Sequence, residues 1–150
     1  MDEHVYKSHN KTLLLYHIVC PAKYRKRIFT EEVNESLINI CKEIELNYEV
    51  KFIEIGVDDD HVHFLVQSVP NMSVSRIAKT IKGITGREIL KKHERIKKEL
   101  WGGNLWTSGY YANTVGQYGN KDVIQRYVQN QGKKYSKIHD DELTLFDGIL

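Results

Sequence analysis

Apolar residues recur along this chain with two spacings, and each stretch ends at a recognisable stop. Thr12 to Cys20 is a run of Leu, Tyr, Ile and Val closed by Pro21, the pattern of a buried strand. A basic loop, Lys23-Tyr24-Arg25-Lys26-Arg27, follows it. Thr30 is placed as a helix N-cap, with Glu31 and Glu32 at the positive end of the dipole. Val33, Leu37, Ile40, Cys41 and Ile44 then form a stripe at helical spacing. Val50 to Val57 reads as a second strand and His61 to Val69 as a third. The short turn Asp58-Asp59-Asp60 between them predicts an antiparallel hairpin. Ser73 caps a second helix with the stripe Val74, Ile77, Ala78, Ile81 and Ile84, weakened by Gly83 and Gly86. The mixed-charge run from Lys91 to Glu99 reads as a solvated helix end. Leu105 to Val115, rich in Trp, Tyr and Thr, predicts a fourth strand. Asn120 opens a last helix, with Asp122 in its first turn and Gly132 as its stop.

The predicted order β-α-β-β-α-β-α makes an α+β protein. Its first six elements match a ferredoxin-like (RRM-like) split β-α-β fold, an antiparallel sheet with helices on one face, and an additional C-terminal helix follows. The 150 residues contain no repeat and no Pro-, Gly- or Ser-rich linker, so residues 1–150 read as a single domain. The tail over 133–150 is polar before Leu143, Leu145, Phe146, Ile149 and Leu150, and the pattern does not place it. A net charge of +2 excludes a broadly basic binder, so a nucleic-acid partner has to be met by a local patch. No stretch is long and apolar enough to span a membrane, and the acidic N-terminus is unlike a signal peptide. Cys20 and Cys41 lie in apolar contexts without C-x-x-C spacing, as buried thiols of a cytoplasmic protein do.

Three groups of residues carry candidate chemistry. His61 and His63 share one face of a strand while Val62 points to the core, and their separation lets two imidazoles converge on one metal. Asp59 is in phase with them, either as a further ligand or as a solvated turn acid. Tyr127 and Gln131 share a helix face. A tyrosine hydroxyl can act as a nucleophile and a glutamine carbonyl as a hard oxygen ligand. A tyrosine packed at a core edge answers the same pattern. Finally, cations at Lys23, Arg25, Lys79 and Lys82 accompany aromatics at Trp101, Trp106, Tyr110 and Tyr111. Single-stranded nucleic acid calls for that mixture, and a charged surface over an aromatic core also contains it.

Taken together, four motifs resemble the IS200/IS605-type transposases, small enzymes of the HUH, single-tyrosine class. Tyr16-His17-Ile18-Val19 with Lys23-Tyr24-Arg25 is similar to the opening strand and basic loop. Asp60-His61-Val62-His63-Phe64-Leu65 is similar to the HUH strand. Leu105 to Tyr111 with Thr114-Val115-Gly116 resembles the aromatic strand, departing at Asn113 and at the Tyr110-Tyr111 pair. Ile124 to Gln131 resembles the catalytic helix. The resemblance runs over most of residues 10 to 131 and leaves out the tail. It implies that Tyr127 is the nucleophile and that His61, His63 and Gln131 hold one divalent cation, Mg²⁺ or Mn²⁺. It further implies single-stranded DNA with hairpin ends as partner, a 5′-phosphotyrosine intermediate, and a homodimer in which the catalytic helix can serve the partner's histidines. Lys23, Arg25, Lys79 and Lys82 are the expected phosphate contacts. Two readings compete: a non-catalytic ferredoxin-like single-strand binding module, and a metal hydrolase built on His61 and His63. A domesticated relative that processes hairpin repeats would share all four motifs.

Overall fold

The computed structural model describes residues 4–116 and the backbone of residues 134–136. A short exposed hairpin comes first, β1 (Val5–Lys7) paired with β2 (Asn10–Thr12). The sequence pattern did not predict it, because its residues are mostly polar and solvated. The fold proper runs β3 (Leu14–Pro21), a single 3-10 turn (Lys23–Arg25), α1 (Glu31–Asn47), β4 (Lys51–Val57), β5 (His61–Ser68), α2 (Val74–Lys92), α3 (Glu94–Glu99), β6 (Tyr111–Val115) and β7 (Lys134–Ser136). The sheet order is β6-β3-β5-β4-β7 with every pairing antiparallel. Its first four strands have the order of the expected ferredoxin-like arrangement. The start of the tail adds the fifth strand, along β4.

Both long helices begin where their hydroxyl caps stand: Thr30 Oγ1 accepts from Val33 N–H at 3.4 Å and Ser73 Oγ from Arg76 N–H at 3.1 Å. Their apolar stripes cover one face of the sheet, where Ile18, Phe52, Ile55, Val62 and Phe64 meet Leu37, Ile40, Ile77 and Ile81. A β-bulge between Phe52 and Glu54 shifts the register of β4, so that Phe52, Ile55 and Val57 all reach this core although their spacing is not a strict alternation. Ile53 joins a smaller cluster with Leu15, Leu65 and Val115. The run from Lys91 to Glu99, expected as the solvated end of one helix, is divided between two. His93 breaks the helix and α3 buries Ile96. Cys20 and Cys41 are buried free thiols, and burial pushes Cys20 up to about 12, which leaves it inert.

One element differs from the sequence pattern. Leu105 to Val115 is not a continuous strand. Its first part meets the end of β3 and the two residues after it through the isolated Ala22–Trp106 bridge, the bond from Lys23 N–H to the Leu105 carbonyl at 2.8 Å and the bond from Thr107 N–H to the Pro21 carbonyl at 3.0 Å. Gly109, at φ 83°, turns the chain out before pairing resumes at Tyr111. The aromatic content favours a strand, but Lys82 holds this loop through the carbonyls of Thr107 (2.9 Å) and Gly109 (2.6 Å). The last helix expected from Asn120 to Gly132 lies outside the described residues. Among the described residues no helix is long and apolar enough to cross a membrane.

Candidate metal centre and basic groove

His61 and His63 stand at the start of β5, with Val62 between them fully buried in the main core. Their rings lie edge to face with centroids 4.9 Å apart, as the strand spacing predicts. Each is fixed by a different neighbour. The two-residue turn of Asp59 and Asp60 is closed by Asp58 N–H donating to the His61 carbonyl at 2.9 Å, and the Asp60 carbonyl accepts from Ala22 N–H at 2.8 Å. These bonds bring Asp60 between two side chains. Its Oδ1 lies 2.8 Å from His61 Nδ1 and its Oδ2 accepts from Arg25 Nε at 3.0 Å. Partial burial would raise the Asp60 pKa, but the hydrogen bonds and charges of His61 and Arg25 outweigh it and the net shift is downward. The carboxylate hydrogen-bonded to His61 is therefore Asp60 and not Asp59, the residue in strand phase with the pair, and Asp58 Oδ2 stands 3.9 Å from His61 Nε2.

His63 is only 1% exposed. Its Nδ1 shares a 3.0 Å hydrogen bond with Nε2 of His17, and the two rings lie edge to edge and nearly coplanar, with centroids 5.2 Å apart and an 8° tilt. The register explains the contact: Val19 pairs with His63 and His17 with Leu65, so His17 lies one diagonal step away on the same face. His17 in turn pairs with Asn113 across β3 and β6 and is hydrogen-bonded by its side chain. Gly56, opposite His63 on β4, adds no side chain beside it. Burial holds His17 down to about 4, against the opposing bond from Asn113. Burial, with the neighbouring His17 and His61, holds His63 down to about 3. His17 and His63 are therefore neutral imidazoles at physiological pH. Sequence reasoning missed the roles of His17 and Asp60, although both stand inside the motifs it singled out.

Two imidazoles side by side suit a divalent cation as part of a site. Among the described residues no three His, Cys, Asp or Glu side chains converge as a metal-binding group, so a cation held by His61 and His63 would need a further ligand. Gln131, expected in that role, and Tyr127 both lie outside the described residues.

A groove of about 590 Å³ lies between α2, the 3-10 turn and the loop before β6. Lys23, Lys79, Lys82 and Arg87 line it together with Tyr24 and Trp106. Three of the four expected phosphate contacts are thus brought together, and Arg87 joins them. Arg25 is instead turned to Asp60. Of the four aromatics, Trp106 is a core residue: it stacks on Phe29 at 5.4 Å, and its Nε1–H donates to the buried Thr85 hydroxyl at 3.0 Å. Trp101, Tyr110 and Tyr111 are exposed.

The chain is similar to several known proteins. The family described as IS200-like transposases matches residues 10–131. The ISDra2 transposase TnpA of Deinococcus radiodurans is 32% identical over 121 residues, 81% of this chain and 86% of that protein. The transposase for insertion sequence element IS200 of Salmonella typhimurium is 30% identical over 124 residues, 83% of this chain and 80% of its own. A crystal structure from Deinococcus radiodurans R1, of a protein described as a transposase, shares 28% identity and superposes with a TM-score of 0.70, covering 87% of this chain and 99% of that one. A REP-associated tyrosine transposase solved bound to a REP hairpin shares the fold, with a TM-score of 0.52 at 13% identity, covering 84% of this chain and 68% of that chain. The protein described here belongs to the IS200-like transposase family.

Proposed function

We propose that this transposase cuts and rejoins single-stranded DNA through Tyr127, at a divalent-cation site formed by His61, His63 and Gln131. The observation that carries the reading is the anchoring of both imidazoles: Asp60 engages Nδ1 of His61 and His17 engages Nδ1 of His63. With Nδ1 bonded to a partner on the same protein, the tautomer that keeps its proton there puts the lone pair on Nε2. This is how ligating histidines are commonly oriented. A bound Mg²⁺ or Mn²⁺ would supply Lewis-acid polarisation of the scissile phosphate. The chain's own groups supply the rest. The Tyr127 oxygen forms a bond to phosphorus as the bond to the 3′-oxygen breaks. The phenolic proton is lost and the departing 3′-oxygen gains one, leaving a 5′-phosphotyrosine and a free 3′-OH. The reverse attack by another 3′-OH rejoins strands without an external energy source.

The lysine- and arginine-lined groove supports a DNA partner, and the neighbour of the same fold bound to a REP hairpin supports a hairpin as its form. The reading includes a homodimer, with the Tyr127 helix of one chain serving the histidines of the other, and a cytoplasmic location beside the DNA. The test is cleavage of an end-labelled single strand. Cleavage should cease in excess EDTA, return with Mn²⁺, and be absent in His61→Ala. Undiminished cleavage in EDTA refutes the metal role. Mixing Tyr127→Phe with His61→Ala chains restores activity only if the helix acts across the dimer.

A further inference from the structure

Beside the basic groove two loops hold an exposed aromatic pair under backbone strain. Tyr24 is 56% exposed and Trp101 77%, and their rings meet edge to face at 5.4 Å. Tyr24, Arg25 and Trp101 have φ of 59°, 51° and 53°, left-handed values that bulky side chains rarely adopt. Gly102 and Gly103 follow directly, so the chain has glycines within one residue of the strained position and still presents a tryptophan there. Lys23 Nζ lies 5.4 Å from the centre of the Tyr24 ring, and a Cβ at Gly103 would meet that same ammonium at 3.1 Å. The lysine therefore sits between the two loops, and the missing side chain at Gly103 leaves it room. Tyr24 itself lines the groove, while Arg25, the next residue, reaches Asp60 and through it His61. One turn of chain thus touches the groove, the aromatic pair and the metal centre.

We propose that Tyr24 and Trp101 form a stacking platform for an unpaired nucleobase of the strand whose phosphates occupy the lysine-lined groove. This rests on the single-strand reading above and adds to it a base-binding site. A ring this exposed contributes little to the core, and strain at a solvent-facing aromatic is retained where the ring has a ligand to meet. Every base has a flat face, so the platform tolerates sequence, while the cations beside it fix the backbone. Through the Arg25–Asp60–His61 contacts, the stacked base sets the register of the strand relative to the metal centre.

The experiment measures binding of a fluorescently labelled oligothymidylate of about 20 nucleotides, long enough to exceed a typical single-strand site, and of an all-abasic strand of equal length. Trp101→Gly removes the ring and relieves the left-handed strain, so the variant should melt within a few degrees of wild type. It should bind oligothymidylate roughly five- to a hundredfold more weakly, the range for losing one base–aromatic stack, yet match wild type on the abasic strand. Trp101→Phe should recover most of the loss. Because Trp106 also lines the groove, tryptophan quenching by an unlabelled strand reports Trp101 where it is present in wild type and absent in Trp101→Gly. A stem-loop without flanks, compared with the same stem carrying a thymidine flank, assigns the base to loop or flank. Equal binding of wild type and Trp101→Gly to oligothymidylate overturns the platform alone. An equal loss on the abasic strand overturns it too. A wild-type protein that binds none of these strands overturns the platform and the single-strand reading together.

Discussion

The groove wall depends on a buried hydrogen-bond chain, and breaking one link should be measurable. Trp106 Nε1–H donates to Thr85 Oγ1 at 3.0 Å, and that hydroxyl donates to the Ile81 carbonyl at 2.6 Å. Thr85 is fully buried, and α2 approaches the indole closely: a Cβ at Gly86 would meet Trp106 Cδ1 at 3.4 Å. Thr85→Val keeps the shape and helix preference but leaves the indole N–H without its acceptor. A buried donor left unsatisfied costs about 1–3 kcal/mol, so we expect a loss of about 2 kcal/mol and a melting temperature about 4–8 °C lower. Trp106→Phe removes the donor, so adding Thr85→Val to it should cost about 1–2 kcal/mol less than it does in the wild type. Urea denaturation of the four proteins gives the coupling. Because Trp106 carries the loop that Lys82 also holds, Thr85→Val should weaken single-strand binding as well. Strict additivity of the two substitutions would refute the hydrogen-bond chain as the link between α2 and the groove wall.

Three further outcomes follow from the histidine cluster. Burial depresses His17 and His63 below their unfolded value, so their contribution is fully present above pH 6.5 and is lost as pH falls toward about 4 and 3. At pH 5 the loss should be about 2 kcal/mol per histidine, and a His17→Gln, His63→Gln variant should show a flatter pH profile in chelator-treated urea titrations. His63→Ala should cost about 2–3 kcal/mol by leaving a void in a packed site, whereas His61→Ala, whose side chain is 14% exposed, should cost less in the same assay. Asp60→Asn, which removes the charge bonded to His61, should weaken Mn²⁺ binding by about 10–100-fold, read by the electron paramagnetic resonance of free Mn²⁺, with little change in melting temperature.

The parts of this molecule that follow local rules were legible in the sequence. Thr30 and Ser73 start their helices, Pro21 ends β3, and the Asp58–Asp60 turn pairs β4 with β5. What was not legible depends on relations across strands. His17 lies 46 residues from His63, and only the register of β3 on β5 makes them neighbours. Strand phase pointed to Asp59 as the carboxylate beside the pair, but a turn does not keep strand phase, and Asp60 is the residue on His61. The strand over Val50 to Val57 was legible but the bulge inside it was not. The aromatic composition of Leu105 to Val115 argued for one continuous strand, where pairing is regular only from Tyr111, after Gly109 and the Lys82 contacts. The sequence-predicted basic contacts converge in one groove except Arg25, whose guanidinium serves the Asp60–His61 pair.

The most direct test of the central claim is whether Tyr127 becomes covalently attached to DNA. Wild-type protein and Tyr127→Phe are incubated with a single-stranded DNA carrying a hairpin and labelled at its 3′ end, with Mg²⁺ or Mn²⁺, and run on a denaturing gel. Wild type should give a labelled protein adduct that disappears in EDTA, and Tyr127→Phe should give none, although that variant folds and binds the strand normally. An adduct of undiminished yield from Tyr127→Phe would contradict the claim.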